Sequence, residues 1–187
     1  MKDSRLKGMV LTAVMAAVIC VLSPFSIPIG PVPVSLTNFA IFITLYVLGT
    51  KRGTLSVLIY LLIGLAGLPV FSGFQGGPGK LFGPTGGYLI GYIPMALIAG
   101  AVIEKSGRKA VRSVRGMILS TAELYAIGTP WLAWQAHMPF GAALSAGVIP
   151  FIAEDLIKMV IAALIGPMLY QALSKAGLIG RAEPAGT

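Results

Sequence analysis

Charge is what this chain has least of: only 11% of its 187 residues are Asp, Glu, Lys or Arg, and just six are acidic. A soluble globular domain carries about 25% charged residues, so that class is excluded. Cysteine and histidine occur once each, at Cys20 and His137. One cysteine forbids an internal disulfide, and no Cys/His set is available to ligate a metal, so no cofactor is expected. The glycine run Gly83–Gly87 lacks the Gly-x-x-x-x-Gly-Lys-Ser/Thr pattern of a nucleotide-binding loop and follows no soluble strand. There is no Ser/His/Asp arrangement, no catalytic carboxylate pair and no zinc-ligand spacing, so enzyme chemistry is not expected. No long polar linker, repeat period or low-complexity tract divides the chain, and a single domain over 1–187 is the expectation.

What is present in abundance is apolar surface: 56% of residues are hydrophobic and the mean hydropathy is +0.89. That composition reads as an integral membrane protein. The net charge of +8 would suggest a nucleic-acid partner in a soluble protein. Here the basic residues fall between apolar segments, where they set topology, and no nucleic-acid partner is expected. Six membrane spans are predicted, at about 6–22, 34–48, 54–68, 86–103, 116–134 and 146–170. The first is read as a retained span, because no small-residue cleavage site follows it. The second and third fall short of the ~20 residues that cross a hydrocarbon core, so they must borrow flanking residues or thin the bilayer. Between the spans lie a loop with four prolines, Ser23–Pro33, and a stretch with seven glycines, Phe71–Tyr88.

The basic residues test this arrangement. Three lie before or at the start of span one, two follow span two, five follow span four and two follow span six, which places twelve of the 14 on one side. Only Lys80 falls on the other side, and Lys158 lies within a span. The positive-inside rule then makes both termini cytoplasmic in an all-α bundle of six transmembrane helices in the cell membrane. The proline loop, the glycine loop and the His137 loop share the outer face.

Within span six, Pro150-Phe-Ile-Ala-Glu154-Asp155-Leu-Ile-Lys158 puts two acids and a lysine in an apolar run. Each charge costs at least ~2.5 kcal/mol at a bilayer centre, so such groups face a bundle interior or a cavity and pair with one another or with a ligand. Helical spacing allows either acid to lie beside Lys158. Asp155 and Lys158 enter one to two turns below the outer end, about 8 to 12 Å deep. A pocket open to the outer face, lidded by the loops, is expected there; an ion pair that merely positions span six is the alternative. Asp155 suits N–H donors of a small polar ligand, and Lys158 a carbonyl or anion. Glu123, about 12 Å from the cytoplasmic end of span five, is not expected to reach this site. It is read as a helix or partner contact, or a proton-labile acid. His137 is read as an ordinary loop residue and Cys20 as packing. Ala13 and Ala17 form a small-xxx-small pair suited to close helix approach, within the bundle or against a partner.

Four motifs carry a resemblance: Pro31-Val-Pro33-Val-Ser-Leu-Thr-Asn-Phe39, Leu68-Pro69-Val-Phe71, Gly83-Pro-Thr-Gly-Gly-Tyr88-Leu and Pro150-Phe-x-x-x-Asp155-Leu-x-Lys158. Over nearly its whole length the chain resembles the BioY-type, biotin-specific substrate-capture (S) component of energy-coupling-factor transporters. The resemblance implies high-affinity capture of biotin from outside, beside a transmembrane coupling protein and two cytoplasmic ATPases that supply energy. It implies Asp155 and Lys158 as biotin ligands at the ureido end, with Thr85, Gly86, Gly87 and Tyr88 in the pocket wall. It also implies that Ala13 and Ala17 face the coupling protein. Two residues depart from the pattern. Thr37 stands where glutamine is expected, leaving Asn38 to supply an amide, and Glu154 stands where a small residue is commoner. A solitary vitamin carrier driven by a proton gradient at Glu123 or Asp155 is the alternative reading.

Overall fold

The computed structural model describes residues 2–179; Arg181, counted above, lies outside them. Helix α1 (Lys2–Leu22) ends at Ser23-Pro24, where proline stops the helix. The proline loop carries a short antiparallel ribbon, β1 (Ser26–Ile27) against β2 (Val34–Ser35), with Ser26 opposite Ser35. Pro28, Pro31 and Pro33 have no N–H to extend the ladder, so the ribbon stays two residues long. The expected second span therefore starts late, because residues 34–35 belong to β2.

Helix α2 (Thr37–Leu65) runs through both the second and third expected spans, and the turn expected over residues 49–53 shrinks to one residue. Gly49 adopts φ 74°, ψ −171°, a conformation open to glycine and costly for other residues. The chain reverses there: a Cβ on Gly53 would lie 3.4 Å from the Leu45 Cα, whereas eight residues of straight helix span about 12 Å. Thr50 on the second half donates its hydroxyl to the Glu104 carboxylate across the turn.

The glycine loop contains one turn of helix, α3 (Pro78–Leu81), before α4 (Gly86–Lys105). Helix α5 (Ala110–Gln135) begins six residues before the expected span, taking Arg112 and Arg115 into its first turns. The loop expected before span six contains a short helix, α6 (Phe140–Gly147), which takes the first two residues of that span, and α7 (Ile149–Lys175) follows it directly. The result is all-α: among the described residues, six rods (α1, the two halves of α2, α4, α5 and α7) with α3 and α6 as short additions. Three stretches, Arg5–Leu22, Thr37–Leu65 and Gly86–Lys105, are long and apolar enough to cross a membrane by length and composition.

The two ends of the bundle differ in chemistry. At one, Lys7 donates to the Gly177 carbonyl, and Arg108 donates to the Tyr46 carbonyl while its guanidinium lies 3.8 Å above the Tyr170 ring. At the other, the Gly73 amide donates to Pro24, Phe25 meets Phe74 edge-on at 5.5 Å, and Trp131 and Gln135 donate to Gly83 and Phe82. The loops after α1 and α2 and the end of α5 therefore share one face. Between the ends, Phe42, Tyr46, Tyr60, Phe71 and Met95 fill the core. Outward, α7 exposes Ile157, Val160, Leu164 and Met168, an apolar face that water would penalise and lipid tails solvate.

Candidate functional site

Helix α7 carries its charges on the inward face because the residues around them, Ile152, Leu156, Ile157 and Val160, point outward. Asp155 is 4% exposed and Lys158 9%. The Tyr125 hydroxyl on α5 donates to the Asp155 carboxylate at 2.5 Å, and the Asn38 amide at the start of α2 donates to the other carboxylate oxygen. Lys158 forms its ion pair with Glu154, one turn back, and sits 3.6 Å from Asp155. It also donates to the Ser35 carbonyl of β2 at 2.5 Å. Glu154 is thus the nearer partner of Lys158, and Asp155 is held chiefly by two neutral donors. Four elements, β2, α2, α5 and α7, close on one set of charges, which satisfies each buried group.

These residues line a cavity of about 50 Å³ beneath the proline loop, with Val32, Pro33, Tyr88, Tyr92, Phe151 and Gly147 completing the wall. Of the residues expected at the site, Asn38, Tyr88, Asp155 and Lys158 come together here. Tyr88 shares its hydroxyl with Thr129 at 3.2 Å and donates to the Gly147 carbonyl at 3.2 Å, tying α4 to α5 and to the α6–α7 junction.

Thr85, Gly86 and Gly87 are not in this wall. A Cβ on Gly86 would stand 1.9 Å from the Leu81 carbonyl oxygen, and one on Gly87 2.4 Å from the Trp131 Cβ. These two glycines let α4 press against α3 and α5. Thr85 lines a separate outer hollow with Lys80. Glu123 does not line the cavity; one of its oxygens is buried with no hydrogen-bond partner among the described residues. His137 is exposed in a left-handed turn, φ 51°. Ala13 and Ala17 are exposed on α1 beside Met9, Val10 and Val14, open to a partner helix.

Sequence reasoning missed Tyr125, Tyr92 and Ser35. Tyr92 was findable, standing one turn from Tyr88 on the same helical face. Tyr125 carried no signal of its own, and Ser35 acts through its backbone, which no side-chain pattern reveals.

A helical membrane bundle enclosing a charged, loop-covered cavity defines an integral membrane protein built to hold a small polar molecule. The model of the BioY family matches residues 1–175, and the chain belongs to that family. It is 42% identical over 160 residues to the biotin transporter BioY of Thermotoga maritima, covering 86% of this chain and 94% of that one. It is 35% identical over 174 residues to biotin transporter BioY2 of Lactococcus lactis, covering 93% and 96%. Its fold matches the crystal structure of the S-component for biotin from an ECF-type ABC transporter with a TM-score of 0.84 at 30% identity, over 91% of this chain and 94% of that one.

Proposed function

We propose that the chain is the high-affinity biotin-binding S component of an ECF-type transporter in the cell membrane. It has six crossings, both termini cytoplasmic, and captures biotin at the Asp155–Lys158 cavity. The observation that carries this reading is the donor and acceptor set. A buried carboxylate, a half-buried one, an ammonium, an amide and a phenol converge where a cyclic urea offers two N–H donors beside one carbonyl. In the proposed complex, Asp155 accepts from a ureido N–H and Lys158 donates to the ureido carbonyl, giving up its bond to Ser35.

A cavity of about 50 Å³ holds water, not a bicyclic ring, since ligand sites typically measure ~300–1,000 Å³. Binding therefore displaces the Val32–Ser35 segment, which the Lys158–Ser35 bond holds down. Energy for release inward comes from partners, a transmembrane coupling protein and two ATPases, with Ala13 and Ala17 on the docking face. Names of the relatives and the likeness to an S component support this over a solitary proton-driven carrier.

Calorimetry on detergent-purified chain with biotin and a panel of other vitamins tests the reading. Saturable binding at one biotin per chain is expected, with the panel inert; no saturable biotin binding overturns it. Proteoliposomes holding this chain alone should not accumulate biotin when a proton gradient is imposed.

A further inference from the structure

Beside the deep cavity lies a second hollow of about 470 Å³, lined by Pro31, Gln75, Gly79, Lys80, Gly83 and Thr85 among others. The two are adjacent along two independent segments. Pro31 lines the outer hollow while Val32 and Pro33 line the inner one, and at the start of α4 Thr85, the residue just before the helix, lines the outer while Tyr88 lines the inner. Thr85 to Tyr88 is about 4.5 Å of helix rise, a step that a short alkyl chain bridges.

The charges are arranged oppositely. The inner cavity holds two carboxylates against one ammonium. The outer hollow holds Lys80, half-buried, and both ion pairs among the described residues belong to Lys158, so no carboxylate pairs with Lys80. Desolvation by burial lowers the Lys80 pKa from its ordinary value, as expected for a cation with no partner.

Resting on the biotin reading above, we infer that this outer hollow is a second subsite of the same pocket, in which Lys80 pairs with the carboxylate of the ligand's valeric acid tail. The orientation follows from charge. An anionic tail is repelled by the excess negative charge around Asp155 and Glu154 and attracted by the one outer cation, so the ureido ring goes in and the tail stays out. Lys80 is then a specificity-determining residue: it separates the free acid from neutral tail derivatives, which the inner cavity alone does not distinguish.

The test measures biotin and biotin amide, whose tail ends in a neutral carboxamide, on the detergent-purified full chain. The unmodified protein should bind biotin roughly tenfold tighter than the amide at low salt, the size expected of one half-buried charge-assisted contact. That preference should shrink as salt is raised, and as pH rises through the Lys80 pKa, because only the ammonium attracts the carboxylate. Lys80→Gln should weaken biotin to the amide's affinity while leaving the amide unchanged, and Lys80→Arg should keep the preference. Equal binding of the two ligands by the unmodified protein, or a preference that survives in Lys80→Gln, overturns the subsite. Neither outcome touches the biotin reading, which fails if the unmodified chain shows no saturable biotin binding.

Discussion

Asp155 and Glu154 are neighbours in sequence with different surroundings, and the difference ranks them. The Asp155 side chain is 6% exposed and takes two donors, whereas Glu154 is 23% exposed and, among the described residues, pairs with Lys158. Asp155→Asn keeps one acceptor oxygen but sets an amide NH2 against either the Asn38 or the Tyr125 donor, while water reaches Glu154 to compensate there. Asp155→Asn and Lys158→Ala should each weaken biotin binding by ~2–3 kcal/mol, since each leaves a buried polar partner unpaired. Glu154→Gln should cost less than either, and Tyr125→Phe about 1 kcal/mol, the worth of one hydrogen bond. Calorimetric Kd values for the four variants decide the order; equal losses at Glu154 and Asp155 would make the pair one functional unit.

Among the elements, α2 most sharply departs from its sequence reading. A stretch with two lysine-arginine charges and two glycines looked like a loop, yet only Gly49 leaves the helical region, because one residue at φ 74° suffices to reverse the chain. Gly49→Ala forces a side chain into that conformation and places a Cβ 2.1 Å from the Glu104 Oε1. It should lower stability by roughly 1–3 kcal/mol, read as an earlier thermal unfolding midpoint in detergent, with Gly53 substitutions leaving the reversal in place. The helices themselves were legible because apolar runs broken by Pro and Gly are a strong local signal. The charged half of the site was legible too, since Asp155 and Lys158 stand out against lipid-compatible neighbours. What was not legible depends on partners distant in sequence. The Asn38–Asp155 bond spans 117 residues, and the Ser35 carbonyl reaches Lys158 across 123. Gly86 and Gly87 were partly legible for a related reason: glycine marks close approach without saying to what, and here it is to Leu81 and Trp131.

For the whole molecule, the two chemically distinct ends suggest the orientation proposed above, with both termini cytoplasmic, and labelling tests it. With Cys20 replaced by alanine, His137→Cys should react with a membrane-impermeant thiol reagent on intact cells, and Lys109→Cys only after permeabilisation. The reverse pattern would invert the topology and put the cavity on the cytoplasmic face. The exposed alanine stripe of α1 belongs to this scale as well. Ala13→Leu or Ala17→Leu should leave biotin affinity within about twofold but weaken recovery of the coupling protein in co-purification, because bulk at these positions holds helix backbones apart.

The bonds among Asn38, Tyr125, Asp155, Glu154, Lys158 and Ser35 have a consequence for the protein between rounds of transport. Lys158 pairs with Glu154 while Asp155 is held by Asn38 and Tyr125, so each of these charges already has a partner, and an ion has to break one of those bonds to use the site as a step through the bilayer. The same self-sufficiency sets a threshold for entry. A molecule that breaks one of these bonds has to satisfy the groups it frees, and one that does not leaves a buried polar group stranded at a cost in affinity.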